Sequence, residues 1–162
     1  MLPRLKQLID EVGPLNSKLI LLIGPPDCGK TALLAAFAEQ ALADQAGASV
    51  MNLGLELGTR LAKFPQKQRR LQAGNLLREI ANEHVNGDLL LIDNIELLFD
   101  ASLAINPLDL LKRLAHARRV VAAWPGEHRQ GSTGTRLAYA ETSHPEHRDY
   151  SLDGVVPFFI QT

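Results

Sequence analysis

Cysteine is nearly missing. Cys28 is the single thiol in 162 residues, so no internal disulfide can form and a reducing compartment is the natural setting. Aromatic side chains make up only 5% of the chain, which leaves a core to be assembled mainly from Leu, Ile, Val and Ala. Neither sign of charge dominates. A formal net charge of −1 excludes a global basic field that would draw the chain onto nucleic acid or a membrane surface, so any such contact is local. No stretch reaches the roughly 18 apolar residues of a bilayer span, and "MLPRLKQLIDEVGP" lacks the unbroken apolar segment of a secretory signal. The expected location is cytoplasmic, without membrane contact.

What is present is ordinary globular composition, 46% hydrophobic and 22% charged, in a length that suits one core. The expected organisation is a single domain over 1–162, with an N-terminal helix (1–13) packed on it. Leu5, Leu8, Ile9 and Val12 fall at helical spacing ahead of Gly13-Pro14. "KLILLIG" is apolar without alternation, as a strand buried on both faces must be. A helix follows from Lys30 to about Ala46, with Leu33, Leu34, Phe37 and Ala38 on one face.

"ASVMNLGLEL" (48–57) is expected as a second strand, followed by a polar, basic connection, "TRLAKFPQKQRRLQ", and a helix carrying Leu76, Leu77, Ile80 and Ala81. A third buried strand spans Leu89–Ile92, Asn106-Pro107 opens another helix, and Val120–Ala123 forms a fourth strand. "QGSTGT" reads as a turn, "RLAYA" as a short strand, and "VVPFFI" as a strand closing the sheet. Strands alternating with helices predict an α/β fold with a parallel sheet and helices on both faces.

"GPPDCGKT", Gly24 to Thr31, joins the first strand to the following helix. Gly-x4-Gly-Lys-Thr in that setting predicts a phosphate-cradling loop. Gly24 and Gly29 let the backbone turn its N–H groups inward, and the helix adds its positive end. Lys30 is expected to reach the β- and γ-phosphates and the Thr31 hydroxyl to ligate Mg2+. Pro25, Pro26, Asp27, Cys28 and Ala32 complete the expected contact set. Asp27 places a carboxylate in an anion site and is expected to point outward. Cys28 is read as a small filler, with a redox-sensitive thiol as the alternative.

Hydrolysis needs a second magnesium ligand and a group to handle the water. Asp93 follows four apolar residues at the carboxyl end of the third strand, where a Walker B aspartate stands. For the water, Asn94 and Glu96 rank level and Glu56 behind them; an asparagine orients water but cannot take its proton. A charge-stabilising arginine is sought among Arg113, Arg118, Arg119, Arg136 and Arg148, with Arg148 preferred. Lys63, Lys67, Arg69 and Arg70 form the one basic patch, a candidate DNA contact whose commoner reading is a solvated connection. His144 and His147 in "HPEH" lack further ligands at supporting spacing and read as a turn.

"LLIGPPDCGKT", "NLGLEL", "LLLIDNIELLF", "PLDLL", "VVAAWPG" and "LAYAETSHPEHRDY" stand in an order and spacing that resembles the BrxF family, the small P-loop proteins of type III BREX bacteriophage-resistance systems. "DNIELLF", "AAWPG" and "YAETSHPEHR" are its more specific parts. The resemblance implies a P-loop NTPase with an AAA-like core of the ASCE class, binding ATP and Mg2+ and acting against phage DNA with other BREX components. It implies that Gly24–Thr31 hold phosphates and Asp93 magnesium. No helical lid is expected after the core, and Trp124-Pro125 replaces the usual polar sensor. A homo-oligomer, an ATP-dependent ring, is therefore the expected way to complete the site. The alternatives are an ATP-binding switch without hydrolysis and a small-molecule kinase; "Asp-Asn-x-Glu" after the third strand favours the ATPase over the kinase.

Overall fold

The computed structural model describes residues 2–12, 18–24, 28–43, 50–84, 89–100, 103, 105–116, 118–125, 127–131, 134–139, 148–151 and 155–160. Among them the strand β1, Leu19–Ile23, is buried at every position. Its alternate side chains serve two separate cores. Leu19, Leu21 and Ile23 join one apolar cluster, while Ile20 and Leu22 join the other. That double burial is why the segment is apolar without alternation.

Four strands share the sheet with β1: β2 (Val50–Asn52), β3 (Leu89–Asp93), β4 (Arg119–Ala123) and the last strand, β8 (Val156–Phe159). The order is β2-β3-β4-β1-β8, and every neighbouring pair is parallel. "VVPFFI" thus does close the sheet. Pro157 is tolerated because β8 lies at an edge, where a missing N–H costs no ladder bond.

Helices cover both faces, as expected. On one side α1 (Leu2–Val12) and α2 (Lys30–Ala43) bury Leu5, Ile9, Val12, Leu33, Leu34, Phe37 and Ala38. On the other lie α3 (Leu53–Leu61), α4 (Gln66–His84), the 3-10 turn η1 (Glu96–Phe99) and α5 (Pro107–Leu114). Asn106 caps α5 as its sequence predicts, its side chain accepting from Asp109 N at 3.1 Å with Pro107 in the first turn.

Two expectations fail between residues 48 and 72. The second strand stops at Asn52, and Leu53–Leu61 is a helix. Leu53, Leu55 and Leu57 alternate like a strand, but Leu53, Leu57 and Leu61 also repeat at four, and these three are buried while Leu55 is 65% exposed. The Asn52 side chain accepts from Leu55 N and caps the helix, which is worth about 1 kcal/mol. The basic connection is mostly helical too, because α4 begins at Gln66. Leu76, Leu77, Ile80 and Ala81 do face the core, joined by Ala73.

A second, three-stranded antiparallel sheet, β5 (Glu127–Gly131), β6 (Gly134–Tyr139) and β7 (Arg148–Ser151), separates β4 from β8 in the chain. Most of "QGSTGT" belongs to its strands, with Gly131 paired to Gly134. "EHRQG" and "RDYS" carry little strand propensity of their own; cross-strand partners decide their conformation. His144 and His147 lie outside the described residues.

Candidate functional site

The candidate phosphate loop leaves β1 at Gly24 and enters α2 at Lys30. Glycine is obligatory at position 24. A Cβ there would stand 2.6 Å from Cys28 Sγ and 2.9 Å from the Ile160 carbonyl oxygen. Gly29 has φ +99, a left-handed conformation that a side chain resists. Its carbonyl accepts from Leu33 N at 2.9 Å and starts the helix, so the first N–H groups of α2 have no partner within it. Thr31 and Ala32, in that first turn, are exposed. Pro25, Pro26 and Asp27 fall outside the described residues. Cys28 is half-buried and packs against the cluster beneath α1 and α2.

Lys30 turns inward. Its ammonium donates to the Gly24 carbonyl at 3.0 Å and to the Trp124 carbonyl at 2.7 Å. The second bond joins adjacent strands: Trp124 follows β4, β1's neighbour, and its own N–H donates to Leu22 O at 2.9 Å.

Asp93 ends β3. Ile92 is level with Ala122, and Ala123 with Leu22, so Asp93, Trp124 and Gly24 leave the same carboxyl edge of three successive strands. One strand, β4, stands between Asp93 and the loop, a lateral separation of about 10 Å. A Thr31 hydroxyl and an Asp93 carboxylate are hard oxygen donors of the type Mg2+ takes.

The next residue is held by its neighbours. Asn94 has φ 58, in the left-handed region where Asn is tolerated better than most side chains. Its Nδ2 donates to Asn52 Oδ1 at 2.9 Å, and its carbonyl accepts from Gly54 N at 2.9 Å. A Cβ on Gly54 would come within 2.8 Å of Asn94 Nδ2, so glycine is needed there as well. Asn52 thereby caps α3 and clasps the end of β3. Sequence reasoning missed it; its available signal was an Asn immediately before Leu53, Leu57 and Leu61 at helical spacing.

The remaining candidates separate. Glu96 is exposed at the start of η1, three residues past Asp93. Glu56 is engaged by a neighbouring side chain. It lies in α3, not after a long strand, and both carboxylate oxygens sit 2.7–2.8 Å from His84 Nε2 at the end of α4. Arg118 and Arg119 stand at the amino end of β4, the opposite edge of the sheet. Arg119 donates to Ile9 O at 3.1 Å and Arg118 to Asn82 Oδ1 at 3.0 Å, so both tie helices to the sheet. Arg113 precedes them in the last turn of α5, while Arg136 and Arg148 fall in β6 and β7. Of the basic patch, Lys63 lies in the turn after α3, and Lys67, Arg69 and Arg70 open α4. Arg69 Nε donates to Phe64 O at 3.0 Å, bracing that turn; Lys67 and Arg70 are exposed.

A strand-ending glycine loop with an inward lysine, opposite a strand-ending aspartate, is an arrangement that other proteins share. Residues 20–118 match the ATPase family associated with various cellular activities (AAA). The chain belongs to the AAA family. The matched segment contains most of the loop-bearing unit and Asp93, and stops short of Trp124 and the β5–β7 sheet. Among solved structures, AMPPCP-bound DnaA from Aquifex aeolicus is similar with a TM-score of 0.53 and 15% identity over 98% of this chain and 44% of that one. C. elegans PCH-2 reaches a TM-score of 0.45 and 18% identity over 99% and 40%. The AAA chain described here spans less than half the length of either structure. A search of curated proteins finds no match. Among the described residues no helix is long and apolar enough to cross a membrane.

Proposed function

We propose that this AAA chain binds ATP with Mg2+ at Gly24–Thr31 and couples it to self-assembly in BREX bacteriophage defence. The carrying observation is the juxtaposition at one sheet edge of Gly24, bonded to the Lys30 ammonium, and Asp93. The unpartnered N–H groups at the start of α2 receive phosphate oxygens, Lys30 neutralises the β- and γ-phosphates, and Gly24 keeps the backbone close. Thr31 and Asp93 would hold the magnesium, which would supply neutralisation of phosphate charge. Glu96 is the base, since it is exposed and, among the described residues, has no partner of the kind that holds Glu56, and the Asn94 side-chain oxygen orients the water. The DnaA structure's AMPPCP supports the choice of nucleotide. "DNIELLF", "AAWPG" and "YAETSHPEHR" support the defence role.

No arginine among Arg113, Arg118 and Arg119 lies at the carboxyl edge, which favours completion of the site by a second copy with Arg148 or one of the others in trans. Lys63, Lys67, Arg69 and Arg70 serve as the DNA contact, through phosphates and therefore without base preference. The test is phosphate release under Mg-ATP across protein concentrations, with sedimentation in parallel. Turnover per chain that rises as an oligomer forms supports this function; ATP binding by an unchanged monomer without turnover removes hydrolysis and assembly from it. The Asn94–Asn52 clasp favours one second reading, an ATP-holding switch without intrinsic hydrolysis, because the amide after Asp93 cannot accept a proton and is already bonded.

A further inference from the structure

Two features of Trp124 bear on the loop. Its carbonyl oxygen takes the Lys30 ammonium at 2.7 Å, and its indole, fully buried, meets Phe99 edge-on with ring centroids 5.3 Å apart and planes at 79°. Phe99 closes η1, the turn that opens with Glu96. One residue therefore touches the loop lysine through its main chain and the segment beyond Asp93 through its side chain. The carbonyl is held in direction as well. Pro125 restricts the residue before it to extended backbone, and the Trp124 N–H is bonded to Leu22 O.

We propose that Trp124 is a positioning residue that makes the site discriminate nucleoside triphosphates from diphosphates. This rests on the nucleotide reading of Gly24–Thr31. An ammonium has three protons, and two are taken by the Gly24 and Trp124 carbonyls. The one left suffices for a terminal β-phosphate. Bridging β- and γ-phosphates needs a second, and the carbonyl to be released is that of Trp124, because it belongs to the neighbouring strand β4 whereas Gly24 opens the segment that carries Lys30 itself. A released carbonyl in a closed setting must find another donor or move. Movement of Trp124 shifts its contact with Phe99, and with it η1 and Glu96. A triphosphate thus resets the segment beyond Asp93, and a diphosphate leaves it as it is.

Trp124 is the only tryptophan in the chain, so the protein's tryptophan emission comes from this residue. The experiment titrates the intact protein with a non-hydrolysable ATP analogue and with ADP, each with Mg2+, following emission and calorimetric heat together. The expected result is an emission change that saturates with the analogue at its calorimetric Kd, and ADP binding without that change. Calorimetric binding of the analogue with unaltered emission, or the same change with ADP, overturns the proposal and leaves the nucleotide site intact. No heat with either ligand removes the nucleotide reading and the proposal with it. A Pro125→Ala variant, checked for an unaltered thermal transition, frees the carbonyl to turn away from Lys30. The analogue should then bind about threefold tighter relative to ADP, the scale of half a hydrogen bond. An equal shift for both ligands makes Pro125 merely structural and overturns the positioning role.

Discussion

Asn94 and Asn52, 42 residues apart, join their side-chain amides at 2.9 Å across the ends of β3 and β2. The bond does two things at once. It supports a left-handed backbone at the residue after Asp93, and it orients the cap of α3. The corner of the sheet beside Asp93 is therefore built from two neutral amides.

The clasp predicts a graded response at position 94. Asn94→Gly keeps the left-handed backbone at no steric cost and loses only the side-chain bond, so it should cost about 1 kcal/mol. Asn94→Val loses both, and a β-branched residue at φ 58 should cost about 2–3 kcal/mol. Urea unfolding of the two variants reads the difference; equal losses would mean that backbone strain plays no part.

Asn52→Ala removes a helix cap and leaves the Asn94 amide without its acceptor. A loss of about 1–2 kcal/mol is expected, with hydrogen exchange accelerated first at the start of α3. Exchange that accelerates evenly over the chain would contradict a local capping role.

Lys30→Ala should abolish measurable ATP binding while lowering stability by about 1–3 kcal/mol, the cost of leaving the Gly24 and Trp124 carbonyls without their donor. Calorimetry and a denaturation curve on the same preparation separate the two effects. Retained affinity within about threefold would remove Lys30 from the phosphate contacts.

Glu96→Gln and Glu56→Gln should behave oppositely. The first should suppress phosphate release by about 100-fold with ATP binding kept, as for loss of a general base. The second should leave turnover alone and cost under about 1 kcal/mol, because the Glu56–His84 pair is partly solvent-screened. Single-turnover assays of both variants distinguish base from brace.

Gly54→Ala is the sharpest packing test. A methyl within 2.8 Å of Asn94 Nδ2 and 3.1 Å of its carbonyl oxygen forces the clasp open, for about 1–3 kcal/mol. Gly74→Ala in α4 meets nothing within 4 Å and should instead stabilise by up to about 1 kcal/mol through helix propensity.

Much of this molecule is local, and those parts were legible. The apolar run of β1, the glycines of "GPPDCGKT", the Asn106-Pro107 start of α5 and the aspartate ending β3 each act within about one element of themselves. Their residue types are dictated by double burial, by close approach and by capping, so composition and spacing suffice to find them. Where two periodicities coexist, as in "NLGLEL", local pattern cannot choose between strand and helix. Burial of Leu53, Leu57 and Leu61 against α4 and η1 made that choice. The order β2-β3-β4-β1-β8 went further, because hydrophobic strands do not name their neighbours. Only once β4 lies between β1 and β3 does the Trp124 carbonyl meet Lys30, 94 residues away, and only beside β3 does Asn52 reach Asn94. The sequence determined that a phosphate loop and a strand-ending aspartate exist; the tertiary structure decided which main-chain oxygen the lysine holds and which amide follows the aspartate's lead, since both are contacts between strands paired across long stretches of chain.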